Sequence, residues 1–272
     1  MENDTHNLLI VDTSYYNFYR YFALITWYKN AHPDEIIESD YNWIDNSIFM
    51  EKFKKIFIDN IKKYQKKFKI TKTIFARDTS RNKIWRNNVY DKYKKNRDEL
   101  YDGKQSFKGG PVFKYSYDNI LPLLTKEENI SQIKIDGLEA DDIIYLCCQR
   151  FKNTYNVHII SSDHDLLQLI DSSSNIKLYS ANLKCYNDKS RGSADLDNFS
   201  KAILGDPSDN IEKVFPKVGP KSVLKLYNNH EQLLQKFNQY PESFNKYCIN
   251  RLLVDFQYIP NVYIKKFNLM TI

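Results

Sequence analysis

The sequence predicts an α/β fold with a mainly parallel central sheet flanked by helices, and three observations predict it. Short apolar runs alternate with long segments of helical periodicity, three of those runs end at or just before an aspartate, and no internal repeat or long low-complexity linker breaks the pattern. Strands separated by helices join through right-handed crossovers into parallel sheets. Ligands bind such sheets beyond the carboxyl ends of the strands, so aspartates along that edge are the first pointer to a site.

Taken in order, Leu8-Leu9-Ile10-Val11 is a short apolar run ending in Asp12, as a buried parallel strand would be. An aromatic-rich helix is expected from about Ser14 to Tyr28. From Ile48 to Phe68, apolar side chains at Phe49, Phe53, Ile56, Phe57, Ile61, Tyr64 and Phe68 describe one helical face, with lysines opposite. A second strand, Thr73 to Ala76, leads to Arg77 and Asp78. The strongly basic stretch from Arg81 to Asp98 follows, then Gly103 and Gly109-Gly110-Pro111, a poor setting for one rigid helix and a candidate mobile clamp on a substrate. Glu139, Asp141 and Asp142 open a helix after Gly137-Leu138. A third strand, Asn156 to Ile160, runs into Ser161-Ser162-Asp163, and Ile176 to Tyr179 reads as a fourth. After about Asp195 the pattern turns helical, which divides the chain into an α/β body over 1–194 and a smaller helical region over 195–272.

At 272 residues and 42% apolar content, the chain can bury a substantial core. A net charge of +6 argues only weakly for a polyanionic partner, because a charge run is usually a solvated face. Cys147 and Cys148 are adjacent, without the spacing of a zinc or redox pair, and are expected to pack in a helix as reduced thiols. No apolar run of about 20 residues could span a bilayer, and no secretory leader is evident, so a soluble intracellular protein is expected.

The chemistry lies in nine carboxylates: Asp12, Asp78, Glu139, Asp141, Asp142, Asp163, Asp165, Asp206 and Asp209. Singly they have bland explanations. Acids favour a helix N-terminus, Asp163 can cap a helix carrying Leu166, Leu167 and Leu169, and Asp206 and Asp209 flank Pro207 where turns favour aspartate. Gathered at one sheet edge, however, they cannot all stay ionised without compensating cations. Hard divalent ions with oxygen ligands, above all Mg²⁺, satisfy that need, and two such ions can drive phosphodiester hydrolysis. Histidines and cysteines near these positions are too few for zinc. No serine–histidine pair offers a better nucleophile, and His164, between two aspartates, reads most simply as a polar residue at a helix start. With the nine acids set aside, the rest of the chain is far more basic than +6 indicates, a surface suited to phosphate backbones.

At these residues the chain resembles the flap-endonuclease and 5′-to-3′ exonuclease family of bacteria and bacteriophages. Gly137-Leu138-Glu139-Ala140-Asp141-Asp142 is similar to its GLEADD signature, and Asp163-His164-Asp165-Leu166-Leu167-Gln168-Leu169 to its second acidic segment. Gly205-Asp206-Pro207-Ser208-Asp209-Asn210-Ile211 matches its GDxSDNI segment, and Tyr93-Lys94-Lys95-Asn96-Arg97 its YKxNR element. The four occur in family order within roughly Leu8 to Tyr227.

The resemblance implies that Asp12, Asp78, Glu139 and Asp141 mainly hold one Mg²⁺, that Asp163, Asp165, Asp206 and Asp209 mainly surround a second, and that Asp142 lies between them, with Mn²⁺ able to substitute. It implies that Lys94 and Arg97 meet the scissile phosphate at the base of a helical arch lying within about 81–117. Arg81, Lys83, Arg86 and Lys95 would contact DNA there. Val214 to Tyr227 is similar to the family's helix–hairpin–helix, in which Lys217, Gly219 and Lys221 would bind duplex phosphates and backbone carbonyls would hold K⁺. The chain departs from the pattern with Lys217-Val218-Gly219 where Gly-x-Gly is usual, and with Ala76-Arg77-Asp78 where Phe-Asp is usual. The expected partner is branched or 5′-ended DNA, with RNA–DNA hybrids as further substrates, acted on by a monomer. A non-catalytic DNA-binding module and a PIN-type ribonuclease are the rivals; the extra acidic segment at Asp206 to Asp209 and the following hairpin favour the DNA enzyme.

Overall fold

The structure is a computed structural model, and it describes residues 6–38, 40–97, 107–170 and 175–272. Five parallel strands, β1 (His6–Asp12), β2 (Lys72–Ala76), β3 (Ile130–Ile133), β4 (Tyr155–Ile160) and β5 (Ile176–Tyr179), form one sheet in the order β3-β2-β1-β4-β5. The chain steps outward from β1 through β2 to β3, then crosses back to β4 on the far side of β1. That reversal opens a crevice between the carboxyl ends of β1 and β4. The register sets Val11 beside Ile160 and Asp12 beside Ala76, so the segments leaving β1, β2 and β4 all start at that end of the sheet.

Helices cover both faces. On one side lie α1 (Thr13–Ala31), α2 (Ser47–Phe68) and α3, a run of helical turns at Gly110–Tyr115, Ser116–Ile120 and Leu121–Leu124 whose middle turn is π-helical. On the other lies α4 (Ala140–Phe151). Because β1 is buried on both faces, its sequence is an unbroken apolar run. Leu8 and Ile10 pack in the layer of Ile143, Ile144 and Cys147, whereas Leu9 and Val11 pack in the layer of Tyr16, Phe49 and Phe53. The periodicity of α2 has the same cause: Phe49, Phe53, Phe57, Ile61 and Tyr64 are its buried residues, each contributing on the order of 2 kcal/mol by leaving water. Asn46 caps its start by accepting from the Phe49 amide at 2.8 Å, and Lys69 ends it in a left-handed conformation, φ 49°.

Five further helices follow: α5 (Ala194–Leu204), α6 (Pro220–Asn228), α7 (His230–Gln239), α8 (Glu242–Val254) and α9 (Asn261–Asn268). Phe199, Ile203, Phe215, Val223 and Leu233 form a separate core among the first of them. The chain then returns to the sheet, where Phe256, Ile259 and Phe267 join the layer of α4.

The four expected strands are present, and β3 is an addition to them. It has only four residues, with Ser131 and Gln132 between two buried isoleucines, so it shows neither alternation nor an apolar run. The segment after β4, expected as a helix, is a 3₁₀ turn, His164–Leu169, capped by Asp163. Much of the expected arch, residues 98–106, lies outside the described residues; before it, Arg81–Lys83 and Trp85–Asn88 are single 3₁₀ turns. Among the described residues no helix is long and apolar enough to cross a membrane.

Candidate active site

Five separate segments deliver carboxylates to the crevice. Asp12 ends β1 and caps α1; its oxygens accept from the Tyr15 amide at 3.0 Å and the Ser161 hydroxyl at 2.9 Å. Asp78, two residues beyond β2, accepts from the Ala140 amide at 2.8 Å and the Ser14 hydroxyl at 2.5 Å, which ties the β2 loop to α1 and α4. Asp141 stands in the first turn of α4. Asp163 caps the turn after β4 by accepting from the Asp165 amide at 2.8 Å. Asp206 caps the next acidic turn, Pro207–Asp209, which follows α5.

Several of these carboxyl groups raise one another. Burial, then Asp78 and Asp163, pushes Asp12 up to about 7 against the pull of the Tyr15 amide and the Ser161 hydroxyl. Asp141 is raised well above the usual carboxylate range by burial, then by Asp163 and Asp12. Burial raises Asp165, with Asp163 and Asp206 adding to it and Lys201 opposing. Asp165, Asp206 and Asp209 each present an oxygen, all within 4.8 Å of one another. An all-oxygen donor set under mutual repulsion suits a hard divalent ion.

A basic segment closes one side. The Lys94 amide donates to the Asp209 carbonyl at 3.0 Å, the Asn96 amide side chain to the Pro207 carbonyl at 2.8 Å, and Arg97 Nε to the Ser208 carbonyl at 3.1 Å. Asn210 returns a bond to the Lys92 carbonyl at 2.9 Å. Two stretches read as separate motifs are therefore docked together. Lys94 Nζ lies 2.6 Å from Glu139 and 3.5 Å from Asp209, and Arg97 Nη2 lies 2.5 Å from Asp209. Lys94 reaches this position in a left-handed backbone conformation, φ 55°, which a residue with a Cβ adopts at a cost. Burial pushes Glu139 up, but Lys94 and Arg86 outweigh it and hold the carboxyl down at about 2.

Two of the expected site residues are enclosed in the core. Asp142, expected between two ions, is fully buried and paired with Arg86 at 2.7 Å. Its oxygens accept from Arg86 at 2.7 and 2.9 Å, Trp85 Nε1 at 3.2 Å and the Glu139 amide at 3.0 Å, leaving it a structural anchor at the start of α4. Arg86, expected on DNA, is only 3% exposed. Its guanidinium is spent on Asp142, Glu139 and the Leu253 carbonyl. Burying that charge demanded those partners.

The other expected DNA contacts sit on the outside. Lys95, Lys217 and Lys221 are exposed, Arg81 is half-buried, and Lys83 is exposed beside Asp136 at 2.9 Å. Gly219 precedes the first residue of α6. Lys217 has φ 57°, a conformation that glycine adopts freely and a residue with a Cβ only at a cost. His164 is exposed and stacks edge-on against Tyr186.

The sequence did not single out Lys201, whose ammonium contacts Asp165 and lies 2.9 Å from Asp206. Its only local signal is a lysine in the last turn of a helix, which reads as a macrodipole partner. Ser14, Ser161 and Tyr93, which donate to Asp78, Asp12 and Glu139, were also not foreseen as parts of the site.

The family described as 5′-3′ exonuclease, N-terminal resolvase-like domain, matches residues 7–196. The chain is 33% identical over 192 residues to a 5′-3′ exonuclease of Buchnera aphidicola subsp. Acyrthosiphon pisum, a match spanning 66% of this chain and 60% of that protein. It is 29% identical over 218 residues to ribonuclease H of Enterobacteria phage T4, across 74% of this chain and 70% of the phage protein. Among solved structures, the bacteriophage T5 D15 protein co-crystallised with metal ions superposes with a TM-score of 0.70 at 20% identity, over 96% of this chain and 97% of that one. The T5 D15 flap endonuclease in a pseudo-enzyme-product complex with DNA and metal ions gives 0.67 at 21% identity, over 96% of each chain. At that identity the likeness speaks for the fold, while the sequence match covers most of the chain and takes in Asp12, Asp78, Glu139, Asp141, Asp163 and Asp165. The chain belongs to the 5′-3′ exonuclease family.

Proposed function

We propose that this protein is a structure-specific 5′ nuclease that hydrolyses DNA phosphodiesters at 5′ flaps or 5′ ends, with divalent ions held in the crevice. The observation that carries this is the meeting of carboxylates from five segments at the switch point of the sheet, walled on one side by Lys94 and Arg97. Asp12, Asp78, Glu139 and Asp141 would mainly hold one ion, and Asp165, Asp206 and Asp209 a second. Asp163 would join the second group, close enough to the first to raise Asp12 as well as Asp165. Mg²⁺ fits the all-oxygen donor set, and Mn²⁺ can replace it. When bound, a pair of such ions stabilises charge on the attacking and leaving oxygens of an in-line displacement.

The chain's own residues do the rest. Lys94 and Arg97 are held against Glu139 and Asp209, with Arg97 the more open to solvent. A phosphate entering the crevice meets both charges already oriented, and they stabilise the additional negative charge of the transition state. Exposed Lys95, Lys217 and Lys221 would hold the backbone without reading bases, so specificity comes from duplex shape and strand end. The loop from α5 to α6 would serve as a helix–hairpin–helix, and a K⁺ ion on its carbonyls belongs to the same proposal.

The names of the relatives support this activity and widen the substrate range. A 5′-3′ exonuclease and a flap endonuclease favour DNA ends and flaps, and a ribonuclease H favours RNA strands paired to DNA.

The test is cleavage of 5′-labelled flap, nicked and RNA-primed duplexes by the wild type and an Asp141→Asn/Asp163→Asn variant, with Mg²⁺. Loss of at least about 100-fold in rate is expected with the fold intact. Undiminished cleavage by the folded double variant would reject the assigned chemistry.

A further inference from the structure

Lys201 stands in the last turn of α5, where a lysine usually extends into solvent, yet its side chain is only 18% exposed. Its ammonium contacts Asp165 and lies 2.9 Å from Asp206 Oδ2. Those two residues, with Asp209, bring oxygens within 4.8 Å of one another. One end of the acidic crevice therefore already carries a cation supplied by the chain.

A second feature lies beside it. A cavity of about 250 Å³ has Lys201, Asp165 and Asp206 in its wall, together with Asn198, Lys189 and Arg191. Asn198 is 7% exposed, and its Oδ1 is buried with no hydrogen-bond partner. A buried amide oxygen without a donor is unfavourable and calls for one. Asn198 precedes Lys201 by three residues on one helix, so the two side chains share a face. The ammonium thus holds carboxylates in a cavity whose wall also contains an amide oxygen that lacks a donor.

We infer that Lys201 is the resident counter-ion of the Asp165–Asp206 end of the crevice, and that a divalent ion enters that end by exchange, the Lys201 ammonium swinging from the carboxylates toward the Asn198 side of the same cavity. The inference rests on the metal-binding reading above. A divalent ion and an ammonium on the same two carboxylates repel each other, so both cannot stay. Lys201 then has two effects of opposite sign. It relieves carboxylate repulsion while the ion is away, and it weakens the ion's affinity at that end.

The experiment is a Mn²⁺ titration of the full-length wild type and Lys201→Met, followed by paramagnetic resonance and calorimetry, with thermal melts in EDTA. Lys201→Met should bind the weaker Mn²⁺ roughly tenfold more tightly, as expected when a competing like charge is removed, and should melt at a lower temperature in EDTA. A folded Lys201→Met with unchanged or weaker Mn²⁺ affinity would overturn the inference. Should the variant not fold, reductive methylation of the wild type read by peptide mass spectrometry decides the matter. Saturating Mg²⁺ should change the modification rate at Lys201 and leave exposed Lys95 unaffected, whereas an unchanged rate at Lys201 overturns the exchange. A wild type that binds no Mn²⁺ at all would overturn the metal-binding reading itself, so the two failures are separable.

Discussion

Neighbouring acids in one short run have different fates here, and partner geometry decides which. Asp141 faces the crevice and other carboxylates, whereas Asp142, the next residue, is enclosed with Arg86 and Trp85. Removing one member of a buried pair leaves the other charge unpaired, so Asp142→Ala should cost about 3–5 kcal/mol in urea unfolding. Replacing both, Asp142→Leu with Arg86→Met, should recover most of that loss; a single variant costing less than about 1 kcal/mol would deny the pair its structural role. His158 shows the same dependence on surroundings. It stacks on Phe68 at 4.4 Å with Nδ1 buried and unpartnered, and burial, then Lys177 on the adjacent strand, lowers its pKa to about 4. The unfolded chain takes up this proton first, near the ordinary value of 6.5. Stability from the neutral imidazole is therefore fully present above about 6.5 and is lost as the pH falls toward about 4. His158→Phe, which keeps the stack, should lose less thermal stability than wild type across that window and match its pH dependence above it. Parallel curves throughout would show that this histidine does not titrate between the two states.

At the scale of elements, the turn after α5 is the tightest part of the site. Gly205 has φ +66°, and a Cβ there would collide with the Ile211 carbonyl and approach the Glu212 carbonyl carbon to 2.6 Å. Asp206 and Ile211 exchange amide-to-carbonyl bonds of 2.8 Å across the turn, so the backbone that must shift is the one carrying Asp206 and Asp209. Gly205→Ala should lose about 1–3 kcal/mol of stability and bind Mn²⁺ more weakly; a variant with wild-type melting and affinity would show that the turn relaxes freely. This element was legible in the sequence because Gly, Pro, Asp and Asn act locally, each through its own backbone preference. Strand β1 was legible because burial on both faces leaves an unbroken apolar run. Strand β3, at the sheet edge with Ser131 and Gln132 between its two buried isoleucines, leaves no such trace. The partners of Arg86 and Lys201 were hidden for another reason. They lie 53 and 56 residues from Arg86, and 36 residues from Lys201 in the case of Asp165. Neither a basic run nor a helix-end lysine reveals which charge it will meet.

At the scale of the molecule, the crevice is where distant parts of the chain are joined. Its acids come from β1, the β2 loop, α4, the segment after β4 and the turn after α5, and the 92–97 stretch is hydrogen-bonded to that last turn. Like charges from five segments oppose their own assembly, so an ion binding them only in the folded chain stabilises the whole. At a free ion concentration 100 times the dissociation constant, that linkage is worth about 2.7 kcal/mol. For a chain of this size the melting temperature should then rise by roughly 5–10 °C. Thermal melts of the full chain in EDTA and in saturating Mg²⁺ or Mn²⁺ measure this directly. The source of the gain is tested by Asp12→Asn/Asp165→Asn, which removes one carboxylate from each end of the crevice and relieves part of the repulsion. The gain of that variant from the ion should fall below half of the wild-type gain. An equal gain in both proteins would place the stabilising ion elsewhere on the molecule and remove the crevice's claim to be the metal centre.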